Sequence, residues 1–192
     1  METVKVRNIV IGEGMPKICV PIVAGDDNEL RDCLGGIVKA KPDIVEFRAD
    51  IFLKYTDKDI VNRTLSTIRE SIGDTVLLYT IRTLKEGGNA DVTVNQYEEL
   101  LMNVIESGLV DMVDVEAFMQ EGVLGRISKA AHEHKVVVVA SSHDFEKTPD
   151  LNEIMYIIEK EHELGDIAKV AFMPQSLEDT LTILAVLSHC ED

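Results

Sequence analysis

Positive charge is scarce in this chain. Its 192 residues carry 19 Lys and Arg against 35 Asp and Glu, a formal net charge of −16. Phosphate binding needs clustered cations, so this balance argues against nucleic acid as a partner and against an anionic membrane surface. A small anionic substrate stays open, because a few local cations dominate the field inside a cleft. Cysteine is also sparse. Cys19, Cys33 and Cys190 form no C-x-x-C pair and are odd in number, which reads as reduced thiols in a cytosolic protein. The opening stretch METVKVRNIVIGEG lacks the long apolar core of a secretory signal. No run approaches the ~20 apolar residues of a membrane span. The expectation is a soluble cytoplasmic protein with neither membrane nor nucleic acid as partner. Linkers and low-complexity segments are missing too, and 192 residues suit a single domain over 1–192.

What is present is enough apolar character for a real core, with 45% hydrophobic and 28% charged residues. Val4 to Ile11 alternates loosely and ends in Gly12-Glu13-Gly14, reading as half of a small hairpin. Short apolar runs then alternate with longer helical patterns. The predicted strands are Ile18–Ile22, Ile44–Arg48, Val76–Arg82, Met112–Glu116, Val136–Ser142 and Ile167–Phe172, nearly continuous apolar runs of the kind buried on both faces. Between them, Asp57 to Ile72 places Ile60, Val61, Leu65, Ile68 and Ile72 on one helical face. Thr93-Val-Asn-Gln96 is a capping-box pattern, and Ser176-Leu-Glu-Asp179 caps the last helix, which carries Leu181, Leu184 and Ala185. Gln120 to His134 forms another helix, and Thr148-Pro149 reads as an N-cap with proline at the first helical position. Asn28 to Lys41 is the least regular segment, because Gly35-Gly36 interrupts it.

Six strand–helix units in strict alternation imply a parallel sheet with right-handed crossovers. The two candidates are a doubly wound sheet and a barrel. No G-x-G-x-x-G follows the first strand, which weakens a dinucleotide-binding fold. A complete (β/α)8 barrel needs ~250 residues, so six units in 192 residues occupy what three-quarters of one would.

Polar residues interrupt the apolar strands at their C-terminal ends. Glu46 and Arg48 lie two apart and share one face of a strand. Arg82 ends the third strand, and Glu86 follows it beside Gly87-Gly88. His143 comes directly after an apolar run, and Lys169 sits inside one. In a parallel α/β fold these ends meet at one rim. Taken singly, each has a plain structural reading. Lys169 is an edge or snorkelling lysine, His143 a satisfied core histidine, Glu46 and Arg48 an ion pair, and Gly87-Gly88 a turn. His132 and His134 do not share a helical face and suggest no metal site. Taken together they describe a site. Apolar neighbours around Lys169 would bury it and free a neutral amine, which can condense with a ketone. A histidine can move the proton that the iminium acidifies, and a carboxylate can hold its tautomer. Arginines can bind hydroxyl or carboxylate groups. The residues themselves lead to a Schiff-base lyase or aldolase on a small polar oxo compound; a non-catalytic fragment that assembles through open strand edges is the third reading.

Six motifs add a resemblance. Gly12-Glu-Gly-Met-Pro-Lys17, Val45-Glu-Phe-Arg-Ala-Asp50, Thr80-Ile-Arg-Thr-Leu-Lys-Glu-Gly-Gly88, Val113-Asp-Val-Glu116, Ser142-His-Asp-Phe-Glu-Lys-Thr-Pro149 and Lys169-Val-Ala-Phe-Met-Pro174 resemble, in order and spacing, the type I 3-dehydroquinate dehydratases. The resemblance implies a (β/α)8 TIM barrel with a short N-terminal hairpin, acting in the cytoplasm on the shikimate pathway as a homodimer, without metal or organic cofactor. It implies that Lys169 forms an imine with the C3 ketone of 3-dehydroquinate. His143 would take a C2 proton and assist the leaving C1 hydroxyl, while Glu86 positions it. Glu46, Arg48 and Arg82 would bind the ring hydroxyls. In the family, two more strand–helix units follow the last helix seen here, bringing an arginine for the substrate carboxylate and a closing loop. The expectation is therefore a barrel with about six of its eight units, whose first and sixth strands are edges.

Overall fold

The computed structural model describes residues 3–190. Two short strands, β1 (Val4–Val6) and β2 (Ile9–Ile11), pair antiparallel, so both strands of the hairpin lie within the stretch expected to supply one. The main sheet holds β3 (Cys19–Ile22), β4 (Ile44–Arg48), β5 (Val76–Thr80), β6 (Met112–Glu116), β7 (Val137–Asp144) and β8 (Ile167–Phe172), hydrogen-bonded in chain order and all parallel. It curls into a half-barrel. Among the described residues six α-helices accompany it: α1 (Asp27–Ala40), α2 (Lys58–Ile72), α3 (Val94–Glu106), α4 (Val123–Glu133), α5 (Leu151–His162) and α6 (Leu177–His189). Among the described residues, no helix is long and apolar enough to cross a membrane.

Strands β4 to β7 each feed two cores, because alternate residues face opposite sides of the sheet. The helix-facing set includes Val45, Phe47, Leu77, Tyr79, Val113, Val115, Val138 and Ala140, all buried in one large cluster. Helical stripes complete it, such as Tyr97, Leu100, Leu101, Val104 and Ile105 on α3, whose N-terminus is closed by the Thr93–Gln96 capping box. On the inner face, Ile44, Val76, Leu78, Met112 and Val139 form a second cluster with Val6, and Val4, Ile9 and Ile11 pack against it. The hairpin thus seals the N-terminal end of the curled sheet with apolar side chains. Above that layer the inner face turns polar, with Thr80, Asp114, Glu116 and Ser141 all buried.

Three expectations are corrected. The segment read as irregular is the continuous helix α1. Gly35-Gly36 costs helix propensity, about 1 kcal/mol per glycine. Against it stand an Asp26 cap accepting from Asn28 and Glu29 N–H, and the buried stripe Leu30, Leu34 and Ile37. Helix α5 is capped by Asp150, which accepts from Glu153 N–H at 3.0 Å, so Pro149 precedes the cap and Thr148 makes no cap. Burial on both faces holds for β5 and β6 but not for β3 and β8, which end the strand order and are partly exposed. On α6, Leu181 and Leu184 are both 57% exposed and only Val186 is buried.

Candidate active site

The buried polar layer is organised around Arg82. Strand β5 stops at Thr80, so Arg82 lies just past the strand rather than ending it. Its guanidinium turns inward and is almost fully buried. Nη2 donates to Asp114 Oδ1 at 2.7 Å, and Nη1 to Glu86 Oε2 at 3.1 Å, Ser141 Oγ at 3.1 Å and Glu116 Oε1 at 3.3 Å. Burial disfavours its charge, but Asp114, Glu116 and Glu86 outweigh that and hold it firmly protonated.

The loop that carries Glu86 is fastened to the same carboxylates. Thr83 N–H and Oγ1 donate to the two oxygens of Glu116, each at 2.7 Å. Gly88 N–H donates to Thr83 O at 2.8 Å, and Ala90 N–H to Arg82 O at 3.0 Å. The paired glycines are more than a turn. A Cβ on Gly88 would lie 2.1 Å from Arg82 O, and one on Gly87 (φ 74°) would lie 2.4 Å from the Phe145 ring. Only backbone without side chains lets this loop close over Arg82. Asp50 anchors its far end, accepting from Asn89 N–H at 3.2 Å and Asn89 Nδ2 at 3.3 Å.

His143, near the end of β7, meets Glu86 at 2.9 Å through Nδ1. Burial, then Arg82 and Lys169, push its pKa down to about 4, so the imidazole is neutral at neutral pH. Glu86 moves the other way, up to about 7, chiefly because it is buried and Asp114 is near. With Glu86 ionised, Nδ1–H donates to the carboxylate and the Nε2 lone pair is left to act as a base. Lys169 projects from β8, whose register sets it opposite Ser141. Its Nζ donates to Asp114 Oδ2 at 3.1 Å. The expected burial among apolar neighbours is not what the structure has: the side chain is 37% exposed and faces a carboxylate. The reason is that Ala168 and Val170 point to the opposite face of the strand and that β8 ends the sheet.

Glu46 and Arg48 lie on the inner face of β4 but do not pair with each other. Glu46 Oε1 accepts from Thr80 Oγ1 at 2.7 Å, while Arg48 donates through Nε and Nη2 to both oxygens of Asp50, each at 2.9 Å. Arg48 Nη1 makes no hydrogen bond with the described residues and is the free donor on this side. The predicted residues fall into two groups along the inner rim, Arg82, Glu86, His143 and Lys169 in one and Glu46 and Arg48 in the other.

Sequence reasoning missed Asp114. It lies within the Val113–Glu116 motif, is fully buried and touches Arg82, Ser141 (Oγ at 2.6 Å) and Lys169 together. Burial raises its pKa, but Arg82 and Lys169 and the donated bonds outweigh it and keep the carboxyl below the usual range. A charged residue in the middle of an apolar strand, two before another, was the available signal. Among the described residues, no group of three or more His, Cys, Asp or Glu is placed to hold a metal ion; His132 pairs with Asp166 instead.

The arrangement is an amine, a neutral imidazole oriented by a carboxylate, and a buried ion cluster that fixes both. Residues 18–192 match the family described as type I 3-dehydroquinase. The 3-dehydroquinate dehydratase of Bacillus velezensis is 41% identical over 185 residues, covering 96% of this chain and 73% of that protein. The Salmonella typhimurium enzyme of the same name is 42% identical over 193 residues, covering 100% and 77%. Among solved structures, a type I 3-dehydroquinate dehydratase from Clostridium difficile, determined with covalently modified comenic acid, superposes with a TM-score of 0.94 at 38% identity, covering 96% of this chain and 74% of that one. The chain spans about three-quarters of the length of these relatives.

Proposed function

This chain belongs to the type I 3-dehydroquinase family, and from that premise we propose that Lys169, His143 and Glu86 carry out the elimination of water from 3-dehydroquinate. Lys169 Nζ adds to the C3 ketone, and loss of water from the carbinolamine leaves an iminium. The iminium acidifies the C2 hydrogen, which His143 Nε2 removes to give an enamine. The enamine expels the C1 hydroxyl, protonated by the imidazolium, so His143 ends the step neutral. Water then hydrolyses the conjugated imine, releasing 3-dehydroshikimate and regenerating the amine. The net reaction is loss of one water. Glu46 and the free Nη1 of Arg48 bind ring hydroxyls on one side, while Arg82 acts largely through the carboxylates it holds in place.

The observation that carries this reading is the 2.9 Å contact between Glu86 and His143 Nδ1, beside an amine held at 3.1 Å from Asp114. A Schiff-base aldolase would use the same lysine, but the relatives matched along the chain are dehydratases. Cytoplasmic residence and a homodimeric state belong to the same reading. The test is turnover of purified chain with 3-dehydroquinate, followed by the ultraviolet absorbance of the conjugated enone product. Growth of that absorbance, lost in Lys169→Ala, supports the reading. Cleavage into smaller carbonyl products would point to the aldolase instead.

A further inference from the structure

Glu161 is a fully buried carboxylate that the chemistry above does not use. It lies in the last turn of α5 and approaches the sheet from the helix side, opposite the site. Oε1 is bonded to Ser142 Oγ, and Oε2 accepts from the backbone N–H of Lys169 at 3.0 Å. Ser142 immediately precedes His143, and the N–H belongs to the lysine itself. Strands β7 and β8 run in register there, with Ser141 opposite Lys169 and Ser142 opposite Val170. One side chain therefore clasps the two strands at the height where each presents its reactive group.

The clasp has little room to move. Gly165 N–H donates to Glu161 O at 2.9 Å, and a Cβ on Gly165 would lie 2.6 Å from Ala140 Cβ. Asp166 then ties the turn to β7 twice, its N–H to Val138 O at 2.9 Å and its Oδ2 to Val138 N–H at 2.7 Å. Among the described residues β8 has one sheet neighbour, β7, so a bond to the Lys169 main chain from the helix layer adds a constraint that the ladder does not supply. Burial also pushes the Glu161 pKa up to about 8, and in its neutral form the acid can donate to Ser142 while still accepting from Lys169.

We propose that Glu161 is a positioning residue for the imine chemistry, holding Lys169 and His143 at their working separation by clasping β7 to β8 from the helix side. This rests on the roles given above to those two residues. Displacements of about 1 Å at a reacting group can cost on the order of 100-fold in rate, so a main-chain anchor on the nucleophile's own residue has leverage on catalysis.

The test compares Glu161→Leu, which removes both contacts, with Glu161→Gln, which reproduces the neutral acid. Glutamine Oε1 accepts from Lys169 N–H and its amide donates to Ser142 Oγ. The readouts are the rate of borohydride-trapped adduct formation on Lys169, kcat and KM for 3-dehydroquinate, and the thermal melt. Glu161→Leu is expected to lower trapping rate and kcat roughly 10-fold with KM within about twofold, and Glu161→Gln to stay within about threefold of wild type. Ile154→Val, a buried change on the same helix, controls for destabilisation and should leave the trapping rate unaltered. If Glu161→Leu gives no cooperative melt, the comparison moves to Ser142→Ala, where trapping and kcat should fall about threefold with KM steady. Equal trapping in wild type and Glu161→Leu, or in Ser142→Ala where that is the variant compared, would overturn the clasp. A wild type that yields no Lys169 adduct would instead overturn the imine reading on which it rests.

Discussion

Asp114→Asn removes one negative charge from the centre of the site and little else. The carboxylate is fully buried and accepts from Arg82 Nη2 at 2.7 Å, Ser141 Oγ at 2.6 Å and Lys169 Nζ at 3.1 Å. The three contacts are unequal. Arg82 is buried, so its pairing with Asp114 is little screened. Lys169 is 37% exposed and its pairing is discounted accordingly. Breaking a buried pair by deleting one partner typically costs ~3–5 kcal/mol, because the other charge stays buried. Here Glu86 and Glu116 still face Arg82, so about 3 kcal/mol is the expected loss. For a chain of 150–250 residues that is a fall in Tm of roughly 6–12 °C. Urea unfolding at pH 7 of wild type, Asp114→Asn, Lys169→Met and the double variant measures it. The double-mutant cycle should assign less than about 1 kcal/mol to the Asp114–Lys169 pair. The pH trend has a defined sign. The Asp114 pKa is lowered on folding, so its stabilisation is present above the ordinary carboxylate pKa and disappears as pH falls through the folded value. The difference between wild type and Asp114→Asn should therefore shrink in strong acid. A loss below about 1 kcal/mol at pH 7 would refute the picture of Asp114 as the counter-charge that makes burial of Arg82 tolerable.

His143→Ala should slow elimination by about 100-fold or more while still yielding a trapped adduct on Lys169, because the amine and its carboxylate are untouched; near-normal turnover would contradict the base assignment. Glu161→Gln should gain stability relative to wild type as pH rises. The Glu161 pKa is raised from 4.5 to about 8, so wild type loses that contribution between those values, and the gap should reach on the order of 4 kcal/mol by pH 9 in urea melts. A gap independent of pH would mean that Glu161 does not change ionisation on folding differently from an exposed acid. Leu181 and Leu184, both 57% exposed on α6, predict concentration-dependent self-association of wild type in sedimentation velocity, which exchanging both for Gln should reduce without lowering the melting temperature; a wild type that stays monomeric at all concentrations would contradict this. Unchanged association would mean that other surfaces drive it.

Much of the scaffold is visible in the residues because each element obeys local rules. Ile44–Arg48, Met112–Glu116 and Ile167–Phe172 are apolar runs whose ends coincide with the observed strands. The Thr93 and Ser176 boxes form as their spacing implies. The errors arise where tertiary packing overrides a local preference. Two glycines do not break α1, because Leu30, Leu34 and Ile37 bury its face. Asp150 caps α5 rather than Thr148, since the carboxylate reaches an orphan N–H once proline has set the entry. Lys169, His143 and Glu86 are legible as candidates because a lysine within an apolar strand, a histidine following an apolar run and a glutamate beside paired glycines stand out. Asp114, Glu116 and Glu161 are not, because their roles depend on partners 32, 33 and 8 residues away in the chain. Only the curl of the sheet and the packing of α5 bring those partners together.

Imine formation at Lys169 is tested by borohydride reduction of the purified chain with 3-dehydroquinate, read by intact and peptide mass. One reduced adduct is expected, on Lys169, and it should be absent from Lys169→Ala. No adduct on the folded wild-type chain, with a relative such as the Bacillus velezensis enzyme trapped in parallel, or an adduct that persists in Lys169→Ala, would contradict it.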